Sequence, residues 1–310
     1  MAFELRLQGP ESPGIQSGPM PDLIPPPFPL SGVAAVPAQR AGHRRASALI
    51  RASVLLHVLV AAAVIARPAL WPWWLGLVLL DHFALTAAGL WPRSALLGPN
   101  WRELPAAARP GRAVALTIDD GPDPEVTPRV LEILARHDVH ATFFCIGRRA
   151  RAHPELIAAM VAAGHAVENH SHGHSHRFSL FGPARMRADL TEAQDTLGRL
   201  AGTAPRFFRA PAGLRNPFLE PVLARLGLQL VSWSRRGFDT REGDPQRVLG
   251  RLVRGLAPGA ILLLHDGNAA RTPEGRPVIL EVLPDLIERI RLAGLEPVTL
   301  REALPATAVP

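Results

Sequence analysis

Residues 110–305 are predicted to form a parallel α/β domain, barrel-like or doubly wound. Three observations predict it. Short apolar, strand-like runs alternate with helical patterns along the whole stretch; Pro, Thr and Gly mark the helix ends; and polar residues gather where the strand-like runs stop. An apolar region at 46–92 and a Pro/Gly-rich segment at 1–45 come before it.

Residues 1–45 contain Pro25-Pro26-Pro27 and no apolar period, so a disordered tail is expected. Two apolar stretches follow, from Ala52 to Ala66 and from Ala69 to Trp91. Trp71, Trp73 and Trp74 at one end of the second, and Trp91 at the other, match the aromatic belt of a membrane helix. The Arg67-Pro68 link leaves room only for a tight turn, so 46–92 reads as a membrane-associated helical hairpin. Asp81 and His82 fall mid-stretch and should face the partner helix or a polar ligand.

Arg40, Arg44, Arg45 and Arg51 come too late for the charged region of a secretory leader. They precede the first stretch; Arg93, Arg102, Arg109 and Arg112 follow the second; Arg67 alone lies between. That asymmetry places both ends, and the domain beyond, on the cytoplasmic side of a bacterial inner membrane. If only the second stretch spans, the domain is outside.

Residues 93–109 read as a linker. Strand is then expected at 113–118, followed by a helix capped by Thr127 with Pro128 at its first position. Next come a strand at 141–146, a helix at 154–163 stopped by Gly164, and a strand at 165–169. A long amphipathic helix at 183–200 leads to a short strand at 207–209 and a helix at 217–226. Strands at 228–233, 260–264 and 297–300, with helices at 245–255 and 277–293, complete about seven strand units.

The net charge is +7, and every basic residue is Arg. The excess is spread over the whole chain with no basic stripe, which argues against a nucleic-acid partner. A single cysteine, Cys145, excludes an intramolecular disulfide framework and any Cys-rich zinc module.

The chemistry-bearing residues follow the strands. Asp119 and Asp120 follow the first, His170 and His174 the third, Arg209 ends the fourth, Asp239 follows the fifth, and His265 and Asp266 end the sixth. In a β/α barrel those strand ends share one face, so these groups should converge. Two adjacent carboxylates entering a Gly-Pro turn can divide their tasks, one as metal ligand and one as base. His170 and His174 have the i, i+4 spacing that puts two imidazoles on one side of a helical turn, which suits a metal. With one carboxylate they make a three-ligand set open to water, leaving His165, His172 and His176 as non-ligands. Arg209 can hold a carboxylate ionised, and His265 is a candidate general acid.

The order Thr-Ile-Asp-Asp-Gly-Pro, Asn-His-Ser-x-x-His, Phe-Arg-x-Pro, Trp-Ser…Asp and Leu-Leu-His-Asp resembles the polysaccharide deacetylase family with its NodB homology domain (carbohydrate esterase family 4-like), over roughly residues 110–302. The resemblance implies a distorted (β/α)7 barrel and metal-dependent amide hydrolysis. It implies Asp120, His170 and His174 as metal ligands and Asp119 as general base tuned by Arg209. It implies His265 as the acid that protonates the leaving amine, oriented by Asp239. It further implies Leu263 as the pocket for the acetyl methyl and the Ala212 N–H as an oxyanion donor, with Pro211 and Trp233 at the substrate site. The expected cofactor is one divalent ion, Zn²⁺ or alternatively Co²⁺ or another. Ala210 and Ala212 stand where Pro and Tyr are more common, and Thr240 where Trp is usual, so walls of the sugar site are missing.

The expected function is removal of an N-acetyl group from an N-acetylated amino sugar in a poly- or oligosaccharide. One alternative is deacylation or deformylation of a lipid-linked amino sugar at the bilayer surface. A further one is an inactive carbohydrate-binding scaffold, against which the complete set of roles argues.

Overall fold

The computed structural model describes residues 46–106 and 111–304. The expected tail at 1–45 lies outside them.

Helix α1 (Ala48–Ala66) starts at Ser47, whose hydroxyl accepts the Ile50 amide at 3.3 Å. A 3₁₀ turn, Pro68–Leu70, joins it to α2 (Trp71–Leu90). Both helices are long and apolar enough to cross a bilayer, with mean hydropathies of 2.3 and 1.4 for Ala48–Ala66 and Pro68–Leu90. Leu55, Val58, Leu59, Leu79, Leu80 and Phe83 are exposed, an apolar surface suited to lipid. Asp81 does face the partner helix, where its Oδ2 accepts the Ser53 hydroxyl at 2.7 Å. His57 and His82 flank it at 4.0 and 3.9 Å, but each Nδ1–H is donated to a helix carbonyl, Ser53 O at 2.8 Å and Val78 O at 2.9 Å.

The second part runs β1 (Ala113–Asp119), α3 (Thr127–Arg136), β2 (Thr142–Cys145), α4 (Gly147–Ala152), α5 (Pro154–Ala162), β3 (Ala166–Asn169) and α6 (Pro183–Ala201). It continues β4 (Phe207–Phe208), α7 (Leu219–Leu226), β5 (Gln229–Leu230), β6 (Arg235–Arg236), α8 (Pro245–Val253), β7 (Ile261–His265), α9 (Ile279–Leu292) and β8 (Glu296–Val298). The sheet order is β5-β4-β3-β2-β1-β7-β6, with β8 beside the start of β1. Every pairing is parallel, so the sheet is a curled half-barrel wrapped by helices.

The period of two along each strand decides which side chains enter the curl. In β1, Val114, Leu116 and Ile118 pack outward with Val130, Leu134 and Leu283 of the helices. Ala113 and Ala115 face inward with Phe144, Phe207 and Ile261. The inward row of β1 therefore continues through Thr117 to Asp119, and that of β7 runs Ile261, Leu263, His265. An apolar plug fills one end of the curl, and polar residues fill the strand C-terminal end.

Several elements depart from expectation. Thr127 does not cap α3; the N-cap residue is Val126, and the turn is tied by Asp123 Oδ1, which accepts the Glu125 and Val126 amides at 3.0 and 3.1 Å. The Thr127 hydroxyl is engaged instead with Asp266 Oδ2 at 2.5 Å. The sequence carries no signal for helix α4 or strand β6, because six- and two-residue elements have too little period to register. Strand β5 stops at Leu230, leaving Trp233 in the loop beyond it.

Residues 93–104 pack on the sheet. Trp101 bridges Val231 beyond β5, and Glu103 bridges Ala260 before β7, so this segment spans the break in the curl. The end of α2 is held as well: Arg215 donates its amide to Gly89 O at 3.1 Å, and the Ser232 hydroxyl donates to Pro92 O at 2.6 Å. A Cβ on Gly89 would lie 2.2 Å from Arg215 O, so only glycine permits that approach.

Candidate active site

Asp119 is the last residue of β1, and its carboxylate enters the cleft almost wholly buried. Arg209, 1% exposed, donates Nη1–H to Asp119 Oδ1 at 2.6 Å and to Thr117 Oγ1 at 2.8 Å. Its Nη2–H goes to Ser232 O at 2.9 Å, and its guanidinium stacks 4.1 Å from the Phe144 ring centroid. Asp119 Oδ2 is left facing His170 Nε2 at 3.9 Å.

Asp120 turns the other way, in the left-handed region at φ 74°. Its Oδ1 lies 3.2 Å from His170 Nε2 and 3.0 Å from His174 Nε2, while its Oδ2 accepts Asn268 Nδ2–H at 3.0 Å. The two histidines do not ride a helical turn as their spacing suggests. They lie in a loop beyond β3 whose backbone reverses through positive φ at Ser171 (64°) and His174 (46°). That loop is tied down by Asn169 Oδ1, which accepts the Ser171 amide (2.8 Å), and by Ser171 Oγ, which accepts the His174 amide (2.9 Å). The Asp189 carboxylate accepts the amides of His172 and Gly173 at 3.0 and 3.1 Å.

The donor set fits a divalent ion. The three ligand atoms of Asp120, His170 and His174 lie within 4.8 Å of one another. A tetrahedral site with bonds of about 2.1 Å has ligand–ligand edges of about 3.4 Å, close to the Asp120–imidazole separations. His170 Nδ1–H is donated to Arg209 O at 2.8 Å, which fixes the ring and turns Nε2 toward the site. The hairpin group His57, Asp81 and His82 fits less well, since its carboxylate separations are wider and both Nδ1–H groups are already committed.

The other histidines lie apart from the ligand group. His172 Nε2 is 3.1 Å from Glu192 Oε1. His165 is a core residue whose Nδ1 accepts the Ala141 amide at 3.2 Å; burial and nearby His140 push its pKa down to about 4. His176 is exposed.

His265 ends β7 directly beside Asp119, its Cα partner across the β1–β7 ladder. Its Nδ1–H is donated to Asp239 Oδ1 at 2.9 Å, and its amide to Asp239 Oδ2 at 2.7 Å. Burial would lower its pKa, but the Asp239 carboxylate outweighs burial and raises it to about 9. Burial likewise works to raise Asp120, yet the imidazoles of His170 and His174 hold it well below the carboxylate range.

Leu263 is buried two residues before His265 on the same strand face. Pro211 is buried and Ala212 exposed in the turn after β4; Ala212 has φ 54°, and its N–H makes no hydrogen bond among the described residues. Trp233 is buried against that turn, 2.8 Å from the position a Cβ on Gly213 would take. Apart from Asp138, every non-glycine residue with positive φ among those described belongs to these loops: Asp120, Ser171, His174, Ala212, Phe238 and Asn268. Clustering of strained backbone is a mark of functional sites.

A chitooligosaccharide deacetylase from Bradyrhizobium sp. (strain ANU 289) is 40% identical over 157 residues, covering 50% of this chain and 71% of that protein. The chain belongs to the polysaccharide deacetylase family. The family's sequence model, "Polysaccharide deacetylase", matches residues 106–231 and so ends before Asp239 and His265. A peptidoglycan-N-acetylglucosamine deacetylase from Bacillus cereus is 31% identical over 60% of this chain and 66% of that protein. A family 4 carbohydrate esterase from Streptomyces lividans, solved with acetate, is 31% identical, with a TM-score of 0.55 over 60% of this chain and 91% of that one. A family pseudoenzyme from Bacillus anthracis shares the fold at 26% identity, with a TM-score of 0.57 over 63% of this chain and 66% of that one. The fold therefore does not carry the activity by itself, and the side chains in the cleft must.

This family 4 N-deacetylase has supporting residues that the sequence reading missed. Asn268 holds the second oxygen of Asp120, and Arg149 donates to Asp120 O at 2.8 Å and to Asn268 Oδ1 at 3.1 Å. Gly267 packs so tightly that a Cβ there would meet Arg149 Nη1 at 2.2 Å and Asp120 O at 2.4 Å. The signal available was the Gly-Asn pair directly after Leu-Leu-His-Asp, a turn sequence at a strand end.

Proposed function

We propose that this deacetylase removes the N-acetyl group of an N-acetylated amino sugar in a poly- or oligosaccharide, with one divalent ion, Zn²⁺, held by Asp120, His170 and His174. The observation that supports it is the placing of that ligand group beside both Asp119 and His265 in one cleft. Three protein ligands of mixed O and N type leave a position open for water, as catalytic zinc requires; Co²⁺ suits the same donors. When bound, the ion polarises the amide carbonyl and makes a water more acidic.

The protein's own groups then have distinct tasks. Asp119 takes the proton of the attacking water through Oδ2, the oxygen that Arg209 leaves free. Arg209 keeps Asp119 ionised by a charge-assisted bond in a water-poor setting. The Ala212 N–H offers a donor to the developing oxyanion. His265, protonated and held by Asp239 through Nδ1, presents Nε2–H to the leaving nitrogen, which cannot depart unprotonated. Leu263, Pro211 and Trp233 border the acyl and sugar positions.

A second reading, a lipid-linked amino sugar carrying an acetyl or formyl group, is favoured by the docking of α2 onto the loops of the cleft at Arg215 and Ser232. In this reading 46–92 is the membrane hairpin, 93–109 the connecting segment, and 110–305 the catalytic domain on the cytoplasmic side. Protease access to the domain in intact spheroplasts tests the side.

The main test is release of acetate by the 310-residue chain in detergent, stripped of metal and reconstituted with Zn²⁺. The substrates are N-acetyl chitooligosaccharide, a peptidoglycan fragment and a polyprenyl-linked N-acetyl amino sugar. Stoichiometric metal with no release from any of them would leave only the inactive scaffold.

A further inference from the structure

Arg236 is a cation of the cleft that the deacetylation chemistry does not use. Arg236 lies on β6 directly opposite Leu263 of β7, so its side chain shares the inward strand face with Leu263 and His265. Its guanidinium lies over two rings, 5.3 Å from the Trp233 centroid and 4.9 Å from the Phe238 centroid. Among the described residues it makes no hydrogen bond and no ion pair, and its Nε is buried without a partner. Arg251, the other guanidinium over Phe238 at 5.8 Å, is paired with Glu242 at 3.0 Å.

The acids of the cleft do not account for this charge. Asp119 is paired with Arg209, Asp239 with His265, and Asp120 with two imidazoles and Asn268. Burial lowers the pKa of Arg236 and the nearby Arg241 adds to that, while the carboxylates of Asp239, Asp119 and Asp120 act against it, which sets it within their field. A guanidinium held over aromatic rings with no hydrogen-bond partner has N–H groups left to grip an oxyanion, which it can do with two parallel bonds. Phe238 is a half-exposed ring on a left-handed backbone, with φ 62°.

Trp233 connects this cation to the membrane side. A Cβ on Gly213 would meet both Pro92 Cβ at 2.6 Å and Trp233 Cη2 at 2.8 Å, so the indole and the residues just beyond α2 meet at one point. The anionic group that lipid headgroups and lipid-linked sugars share is the phosphate. We infer that Arg236 binds the phosphate of a lipid-linked amino sugar whose acylated nitrogen lies at the Asp120–His170–His174 group, with the lipid leaving past Trp233 and Pro92. This rests on the deacetylase reading and names the substrate class of that same site.

The test has a binding arm and a turnover arm, both with the full chain in detergent. Binding of a short-chain polyprenyl monophosphate is followed by tryptophan fluorescence, with the uncharged polyprenol as control. Arg236→Gln should weaken the phosphate at least tenfold, and Arg236→Lys should restore part of it. In turnover, Arg236→Gln should lower kcat/KM for a polyprenyl-phosphate-linked N-acetyl amino sugar, relative to a neutral chitooligosaccharide, by tenfold or more, chiefly through KM. Equal binding of phosphate and polyprenol, or an unchanged ratio, overturns the inference. So does a loss confined to an oligosaccharide carrying a carboxylate, which would make the anion a sugar acid. Absence of all turnover would count against the deacetylase reading alone, since the binding arm reads Arg236 independently.

Discussion

Asp119 and His265 are Cα partners in the parallel ladder between β1 and β7, and each is clamped from behind by a group of opposite charge. Arg209 holds the first and Asp239 the second. Strand register, not loop position, therefore sets the spacing of the proposed base and the proposed acid.

Exchange of the two adjacent carboxylates should separate their tasks. Asp120→Ala should lose bound metal and turnover together. Asp119→Asn should keep a full equivalent of metal and lose about 10³-fold in kcat, within the range of a positioned base. Elemental analysis of reconstituted protein beside acetate release checks both, and parallel loss of metal in the two variants contradicts the division.

The acid can be read through the leaving group. His265→Ala should slow amide hydrolysis far more than hydrolysis of an activated ester, whose leaving group needs no proton. An equal slowdown on both rejects the role.

The pH profile gives a signed expectation. His265 titrates at about 9 in the folded protein against an ordinary 6.5. Its protonated form should persist to about that pH, and the alkaline limb of kcat/KM should fall there. Asp239→Asn removes the carboxylate that raises the value, so the limb should move to lower pH. The stability contribution has the same sense: it is complete below the unfolded value and lost as pH rises through the folded one. Denaturant titrations from pH 6 to 10 should show that slope flattened in Asp239→Asn.

Arg209→Met should cost about 3–5 kcal/mol, because Asp119 is then left buried and uncompensated. Adding Asp119→Asn should recover part of that loss, so the double variant is more stable than the sum of the singles. Additive losses in denaturant melts would show that Arg209 acts by packing on Phe144 and not through the pair.

Asn268→Ala should weaken metal binding by about 10–100-fold, the usual effect of removing a group that orients a ligand. Competition with a chelator measures it. Unchanged affinity would make the Asn268 contact incidental.

The fold and the centre of the site were legible in the sequence for a shared reason. His265 ends a strand and Asp120 and His170 directly follow one, and strand ends converge wherever the sheet is parallel. The i, i+4 spacing of His170 and His174 suggests a helical turn, but positive φ at Ser171 and His174 brings the rings together instead. Asn268 and Arg149 stayed hidden because their contacts depend on how two loops pass each other. Arg236 stayed hidden because a two-residue strand has no readable period, so nothing showed which of Arg235 and Arg236 points inward. Thr127 looked like a cap because hydroxyl residues before Pro commonly are; the buried Asp266 claimed its hydroxyl instead.

The segment across the break in the curl has a mechanical consequence. Trp101 and Glu103 are stitched to both edges of the gap, and Gly89 and Pro92 are stitched to the loops above it. Such a mounting is a bracket and not a leash. Were the hairpin seated in a bilayer, such a bracket would set the cleft at one height above it.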